Sequence, residues 1–171
     1  MTTEEYDRST ARVMNIILIS HRGNISGKNT ERENSPDYIV EAASAGFEVE
    51  IDVWHINDTW FLGHDEPQHE IDKNFLLNDK FWCHAKNIEA LHEMMKSDIH
   101  CFWHQEDDVT LTSGGYLWTY PGKELTESSI CVLPESANHT SIACAGICSD
   151  YIGEYRQRNP GGSTFPVRSE K

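Results

Sequence analysis

Positive charge is scarce in this sequence. Only 14 of its 171 residues are Lys or Arg, against 28 Asp or Glu, which leaves a formal net charge of −14. Binding to nucleic acid draws on a basic surface, so a nucleic-acid partner is not expected. Long apolar runs are also missing. None approaches the ~20 residues of a membrane helix, so no stable membrane insertion is expected. The stretch Met1–Met14 is polar and charged, unlike a secretory signal, and a reducing, cytoplasmic location is expected. Glycine (11) and proline (6) are too few for collagen or for a Pro/Gly-rich disordered chain. Cysteine is sparse and odd in number: Cys83, Cys101, Cys131, Cys144 and Cys148. An odd set argues against a closed disulfide framework, and Cys144 and Cys148 have no second pair at zinc-finger spacing. They read as small apolar residues of a reduced core.

What is present is a series of short apolar strands that end in polar residues. Asn15–Ser20 precedes His21-Arg22-Gly23, and Phe47–Val53 carries Glu50 and Asp52. Trp60–Leu62 leads to Gly63-His64-Asp65, Phe81–Ala85 carries His84 and leads to Lys86, and His100–Trp103 ends at His104. Val109–Thr112 pairs with Tyr116–Thr119 through Ser113-Gly114-Gly115, a tight-turn sequence. Ile130–Leu133 ends at Pro134-Glu135, and Gly146–Ser149 ends at Asp150. One helix starts at Ser35-Pro36 and runs to Ala45, where Gly46 stops it. A second covers Ile88–Lys96 with Ile88, Leu91 and Met95 on one face, and a weaker third lies between Ser136 and Cys144. Strands alternating with helices imply an α/β protein with parallel pairing. Eight short strands suggest a TIM-type β/α barrel, but such barrels usually need ~200 residues or more. The expectation is a compact or minimal barrel over 14–155 with several crossover helices shortened or missing. Residues 1–13 read as a disordered leader and 156–171 as a flexible tail.

The strand ends carry the chemistry. Positions i and i+2 of a strand share a face, so Glu50 and Asp52 point the same way. Adjacent carboxylates repel unless a cation lies between them, and oxygen ligands suit Mg²⁺, Ca²⁺ or Mn²⁺. The competing explanation is an exposed acidic edge. His84 and Lys86 are also i and i+2; they could ligate a metal and face a phosphate, or be a hydrogen-bonded histidine and a solvated lysine. His21 can move protons near neutral pH, Arg22 offers a planar fork to phosphate oxygens, and Gly23 allows a sharp turn. His64 stands at another strand-to-loop junction, so two histidines beside a carboxylate pair could supply a general acid and a general base. His104 could join them, whereas Asp107 and Asp108 read as a solvated acidic loop. Trp118, Tyr120 and Glu135 sit at strand ends and could line the pocket, with core packing as the alternative for the aromatics.

Taken in order, His21-Arg22-Gly23, Glu33-Asn34-Ser35-Pro36, Val49-Glu50-Ile51-Asp52-Val53 and Leu62-Gly63-His64-Asp65 resemble the glycerophosphodiester phosphodiesterases. These belong to the phosphatidylinositol-specific phospholipase C-like superfamily. Order and spacing match over residues 15–67. Gly146-Ile147-Cys148-Ser149-Asp150-Tyr151 and Trp118-Thr119 resemble later strands of the family, and the middle of the chain matches weakly.

The resemblance implies a TIM-type barrel that cleaves a small glycerophosphodiester-like molecule with the help of a divalent cation, Mg²⁺ or Ca²⁺ first and Mn²⁺ after them. His21 and His64 would be the acid–base pair, Glu50 and Asp52 metal ligands, Arg22 the phosphate holder, and Glu33 a brace for the loop or the metal shell. The family's third ligand is usually a Glu in Glu-x-Lys; here the segment is His84-Ala85-Lys86, which keeps the lysine and changes the ligand. The alternative is a catalytically weak or inactive barrel that binds a metal and a phosphate ester. A phospholipid-directed relative would need an apolar rim, to which Trp54, Trp60, Trp82, Trp103 and Trp118 could contribute. A truncated barrel could leave apolar edges for a second copy to cover, so a homodimer is compatible with the sequence.

Overall fold

Val49, Ile51 and Val53 alternate with Glu48, Glu50 and Asp52, giving one strand an apolar face and an acidic face. The computed structural model describes residues 16–137 and 143–158 and uses both faces. The central strands are β1 (Ile17–His21) and β2 (Glu48–Ile56), followed by an antiparallel flap, β3 (Thr59–Leu62) and β4 (His69–Ile71). Then come β5 (Phe81–Ala85), β6 (Cys101–Trp103), a hairpin of β7 (Val109–Leu111) and β8 (Leu117–Thr119), β9 (Ser129–Val132) and β10 (Gly146–Ser149). Seven of these strands run parallel in the order β6-β5-β2-β1-β10-β9-β8.

Helix α1 (Pro36–Ser44) connects β1 to β2, α2 (Ile88–Lys96) connects β5 to β6, and α3 (Ile152–Arg158) follows β10. On the outer face of the sheet, Val49, Ile51 and Val53 pack with Ile39 and Ala42 of α1 and with Ala90 and Met94 of α2. Burying each large apolar side chain of this kind contributes on the order of 1.5–3 kcal/mol. On the inner face, Ile19, Trp82, Phe102, Trp118, Ile130, Val132 and Cys148 form one cluster. Residues from both flanks of the sheet meet there, so the sheet is curled. Phe102 and Trp118 touch across the gap with ring centroids 4.5 Å apart, and Ser113 donates its backbone N–H to the carbonyl of Cys101 at 2.8 Å.

The α/β class and the parallel pairing stand, whereas the expected TIM-type barrel is reduced to a curled half-barrel sheet. The reason lies in the connections. Residues 104–108 and 120–128 link strands without a helix, and the only helical segment between β9 and β10 among the described residues is a single 3-10 turn, Pro134–Ser136. The weak helix expected between Ser136 and Cys144 falls mostly outside the described residues, as does the leader at 1–13. The helix α3 runs past the boundary drawn at 155 and ends at Arg158.

Of the three apolar residues that share one face of α2, Leu91 packs partly buried against the core, whereas Ile88 and Met95 are 62% and 56% exposed, and the helix fully buries Ala90 and Met94. Ala90 and Met94 are an i, i+4 pair, and the small Ala lets the helix lie close to β2. Gly46, with φ +90°, ends α1 as expected. Trp60, Trp82 and Trp118 are 6%, 2% and 3% exposed, so these three pack inside and offer no apolar rim. All five cysteines are buried, and no disulfide joins them. Among the described residues no helix is long and apolar enough to cross a membrane.

Candidate active site

The same alternation that sends Ile19, Trp82, Phe102 and Cys148 inward sends the next inward residues, His21, His84, His104 and Asp150, to the C-terminal ends of the parallel strands. With Glu50 of β2 they surround a cavity of about 400 Å³, and Asp52 lies fully buried beside Glu50 and His84. Arg22, Lys28, His64, Lys86, Trp118 and Tyr120 complete its charged and aromatic walls.

Glu50 and Asp52 are 2% and 0% exposed, which excludes the acidic-edge alternative. Glu50, Asp52 and His84 each place a ligand atom within 4.8 Å of the others. His84 Nδ1 lies 3.0 Å from Asp52 Oδ1 and 3.7 Å from Glu50 Oε1. Glu50 Oε2 is buried and accepts no hydrogen bond, whereas Asp52 Oδ1 has the His84 ring at 3.0 Å and the Lys86 ammonium at 3.3 Å. A buried carboxylate oxygen without a donor is costly, and a cation would satisfy it. The His84 ring suits the same role. Its Nε2 lies 2.8 Å from the carbonyl oxygen of His104, which can only accept. Nε2 therefore carries the proton, and Nδ1 is the nitrogen turned to the carboxylates. The cluster could thus hold a metal ion.

Without a cation, His84 takes a second proton. Burial alone would lower its pKa, but the hydrogen bonds and charges of Asp52 and Glu50 outweigh that and raise it to about 9. A histidine whose folded pKa is raised stabilises the fold fully below the ordinary value of 6.5 and loses that contribution as pH rises through about 9. In chelator, the unfolding temperature should fall between those two values, and His84→Gln should flatten that fall. A wild-type profile that is level over this range would refute the protonated pair.

Asp52 is the hub of the polar network. Arg22 Nε lies 2.9 Å from its Oδ2, Lys86 Nζ lies 3.3 Å from its Oδ1, and Asn34 Nδ2 donates to Oδ2 at 2.8 Å. The backbone N–H of Asp52 in turn donates to Asn34 Oδ1 at 2.9 Å. Burial opposes the ionised form, but His84, Arg22 and Lys86 hold the Asp52 carboxyl far below the usual carboxylate range. Glu33 braces the loop after β1: it lies 3.4 Å from Arg22 and accepts from Asn24 at 2.9 Å. Arg22 itself adopts φ +55°, held by Arg22 N–H to Glu50 O at 3.0 Å and Asn34 N–H to Arg22 O at 3.1 Å. Gly23, at φ +96°, has no room for a side chain, since a Cβ would meet the Tyr38 ring at 2.6 Å.

His21 Nδ1 lies 2.7 Å from Asp150 Oδ1, and its Nε2 lies 3.9 Å from Glu50 Oε2 on the cavity side. Burial pushes the Asp150 carboxyl up, but His21, Asn24 and Arg22 outweigh it and hold it below the usual range. An ionised carboxylate only accepts, so it fixes the proton on Nδ1 and leaves the lone pair of His21 on Nε2.

His64 is more open, with its side chain 41% exposed and Nδ1 2.7 Å from Asp65 Oδ1. Its strand end is anchored by Gly63 N–H to Asp52 O at 3.1 Å and by Trp54 Nε1–H to Gly63 O at 2.7 Å. A Cβ on Gly63, at φ +151°, would lie 2.1 Å from Glu66 O, so only glycine fits this turn.

His104 lines the cavity at 7% exposure, with its ring 4.6 Å from that of Tyr120. Burial, together with the charges of His84 and Lys86, lowers its pKa. Trp118 packs in the inner cluster and also lines the cavity, so the two alternatives for it are compatible. Glu135 accepts from the Ser149 hydroxyl and from the Asp150 N–H at 2.9 and 3.0 Å, and so supports the Asp150 strand end from outside the cavity wall. Asp107 and Asp108 are exposed, as expected of a solvated loop.

Sequence reasoning left Asp150, Asn24 and Asn34 without roles. Asp150 carried a signal, as the polar residue ending the last apolar strand. Its partner is 129 positions away, and only the parallel pairing of β1 with β10 joins them. No family model, no curated protein and no solved structure matches this chain.

Proposed function

We propose that the protein is a divalent-cation-dependent phosphodiesterase acting on a small glycerophosphodiester-like molecule, with His21 as general base and His64 as general acid. The observation that carries this is the oriented His21–Asp150 pair beside a buried Glu50–Asp52–His84 cluster in one cavity. The motif resemblance over residues 15–67 points the same way.

A Mg²⁺, Ca²⁺ or Mn²⁺ ion bound to Glu50, Asp52 and His84 would polarise a phosphate oxygen and offset negative charge in the transition state. Arg22 and Lys86 orient the diester and supply local positive charge within a protein of net charge −14. His21 Nε2 takes the proton of the attacking water or substrate hydroxyl as the new P–O bond forms. The bond to the leaving alcohol breaks, and His64 gives its proton to that oxygen. The exposure of His64 suits this part, because the leaving group departs toward solvent. Asp150 stabilises the imidazolium formed on His21 during transfer. Where the substrate carries a hydroxyl beside the phosphoester, the attack is internal and gives a cyclic phosphate.

The test is turnover of a panel of glycerophosphodiesters by the purified chain with Mg²⁺, Ca²⁺, Mn²⁺ or chelator. Cation-dependent cleavage that chelator abolishes is the expected result. A folded protein that binds these esters with the cation but cleaves none would instead be the binding module.

A further inference from the structure

Trp54, on β2, belongs neither to the inner cluster nor to the cavity wall. It is half-buried and follows Glu50 and Asp52 on the same face of the strand. Its one polar atom is committed: Nε1–H donates to the carbonyl oxygen of Gly63 at 2.7 Å. That carbonyl belongs to the peptide group that joins Gly63 to His64. The peptide group before it is held as well, because the Gly63 N–H donates to Asp52 O at 3.1 Å. Two residues of β2 thus grip both sides of the glycine that precedes His64. The turn then closes on itself, with Gln68 N–H donating to Leu62 O at 2.9 Å.

His64 needs this support from its main chain. A group that moves a proton in a transition state works only when it is held in a narrow geometry. The His21 ring gets that geometry from Asp150, inside a buried network. Among the described residues, the ring of His64 has one hydrogen-bond partner, its neighbour Asp65, whose side chain is 92% exposed. An ion pair that open holds a side chain loosely. The aim of His64 is therefore set by the peptide that carries it, and the side chain fixing that peptide is Trp54.

We propose that Trp54 is a positioning residue for His64: its indole N–H fixes the Gly63–His64 peptide and so directs the imidazole to the leaving alcohol. This rests on the diesterase reading for the role of His64. It goes beyond that reading by placing control of the proton donor on β2, the strand that also carries Glu50 and Asp52.

The leaving group supplies the test. An alkoxide is a strong base and needs a proton to depart, whereas a nitrophenolate is a weak base and does not. Turnover with Mn²⁺ is compared on glycerophosphoethanolamine and on bis(p-nitrophenyl) phosphate. Trp54→Phe keeps a ring and removes the N–H. It should lower kcat on the glycerol ester by ~10-fold or more, with KM little changed, and leave the aryl ester within ~2-fold. In Trp54→Gln, which keeps an N–H donor and loses the ring, any loss should again fall on the glycerol ester alone, so this variant serves if Trp54→Phe fails to fold. Similar losses on both esters in either variant would overturn the proposal, as would unchanged turnover of both in Trp54→Phe.

Amide hydrogen exchange separates this proposal from the diesterase reading. In Trp54→Phe the Gly63 N–H should exchange ~10-fold faster, with that of Ile51 in mid-strand unchanged. Unchanged exchange at Gly63 would overturn the proposal whatever the turnover. A wild-type chain that cleaves no diester, with faster Gly63 exchange in Trp54→Phe, would sink the diesterase reading alone and leave Trp54 as the residue that holds the His64 turn.

Discussion

His21→Ala should lower diester turnover by at least ~100-fold, the usual scale for a positioned acid or base, while leaving the protein folded. The side chain is held at two points. Asp150 fixes Nδ1 at 2.7 Å, and Nε2 is left 3.9 Å from Glu50 at the wall of the cavity. Neither contact belongs to the apolar interior, so the loss falls on the chemistry. Asp150→Ala should act through the same ring by freeing it to rotate and to change tautomer. It should lower kcat by less than His21→Ala does, with KM little changed, because Asp150 orients the base without touching the phosphate in this arrangement. The double variant should be no worse than His21→Ala alone, since both act on one group. Near-normal turnover in His21→Ala would remove the base from the mechanism. Strictly multiplicative losses in the double variant would show that Asp150 works elsewhere.

Asp52→Ala should be the most destabilising single change at the site, by about 3–5 kcal/mol, the cost of removing one partner from a buried charged network. Asp52 is fully buried, and its removal strands the guanidinium of Arg22, the ammonium of Lys86 and the amide of Asn34 at once. Asp52→Asn keeps the shape and an acceptor, so it should cost less in chemical denaturation. Glu50→Gln should behave differently again. Glu50 Oε2 has no hydrogen-bond donor, and when Glu50 is neutralised Arg22, Lys86 and His84 still face the Asp52 carboxylate. Stability should hold or rise in this variant, while Mn²⁺ affinity, followed by titration calorimetry, should fall at least ~10-fold. The contrast is the informative part: Asp52 is the main anchor of the protein's own cations, and Glu50 leaves an oxygen free for an external one. Similar stability losses in Asp52→Ala and Glu50→Gln, or an unchanged Mn²⁺ affinity in Glu50→Gln, would refute this division.

The groups that brace the site from behind are the least legible in the sequence. Asn34 was visible only as part of Glu33-Asn34-Ser35-Pro36, yet it clamps Asp52 from both its backbone and its side chain. Its geometry depends on φ +62° at Asn34 and on the hydrogen bond to Arg22 O, neither of which a string of residues displays. The seat of α2 was hidden for a related reason. Counting apolar residues picks Ile88, Leu91 and Met95, of which Leu91 packs against the core, but the helix is seated by the residues that permit close approach, Ala90 and Met94.

By itself the sequence determined the strand pattern and the inward side of each strand. Period-two alternation settles which residues share a face, and this put Glu50 with Asp52 and placed His21, His84 and His104 at strand ends. It also marked Gly23 as a sharp turn, although the Tyr38 ring that excludes a side chain there is brought up by the fold. The tertiary structure alone decided which strand ends meet. Parallel pairing of β10 with β1 brought Asp150 to His21, and the curl of the sheet brought His104 and Tyr120 over the cluster on β2 and β5. It also decided that the sheet is a curled half-barrel, because the connections after β6 and β8 carry no helix to cover a closed ring of strands. Alternation is a local property, carried by each dipeptide. Adjacency of strand ends depends on the order of strands in the sheet, which no local pattern encodes.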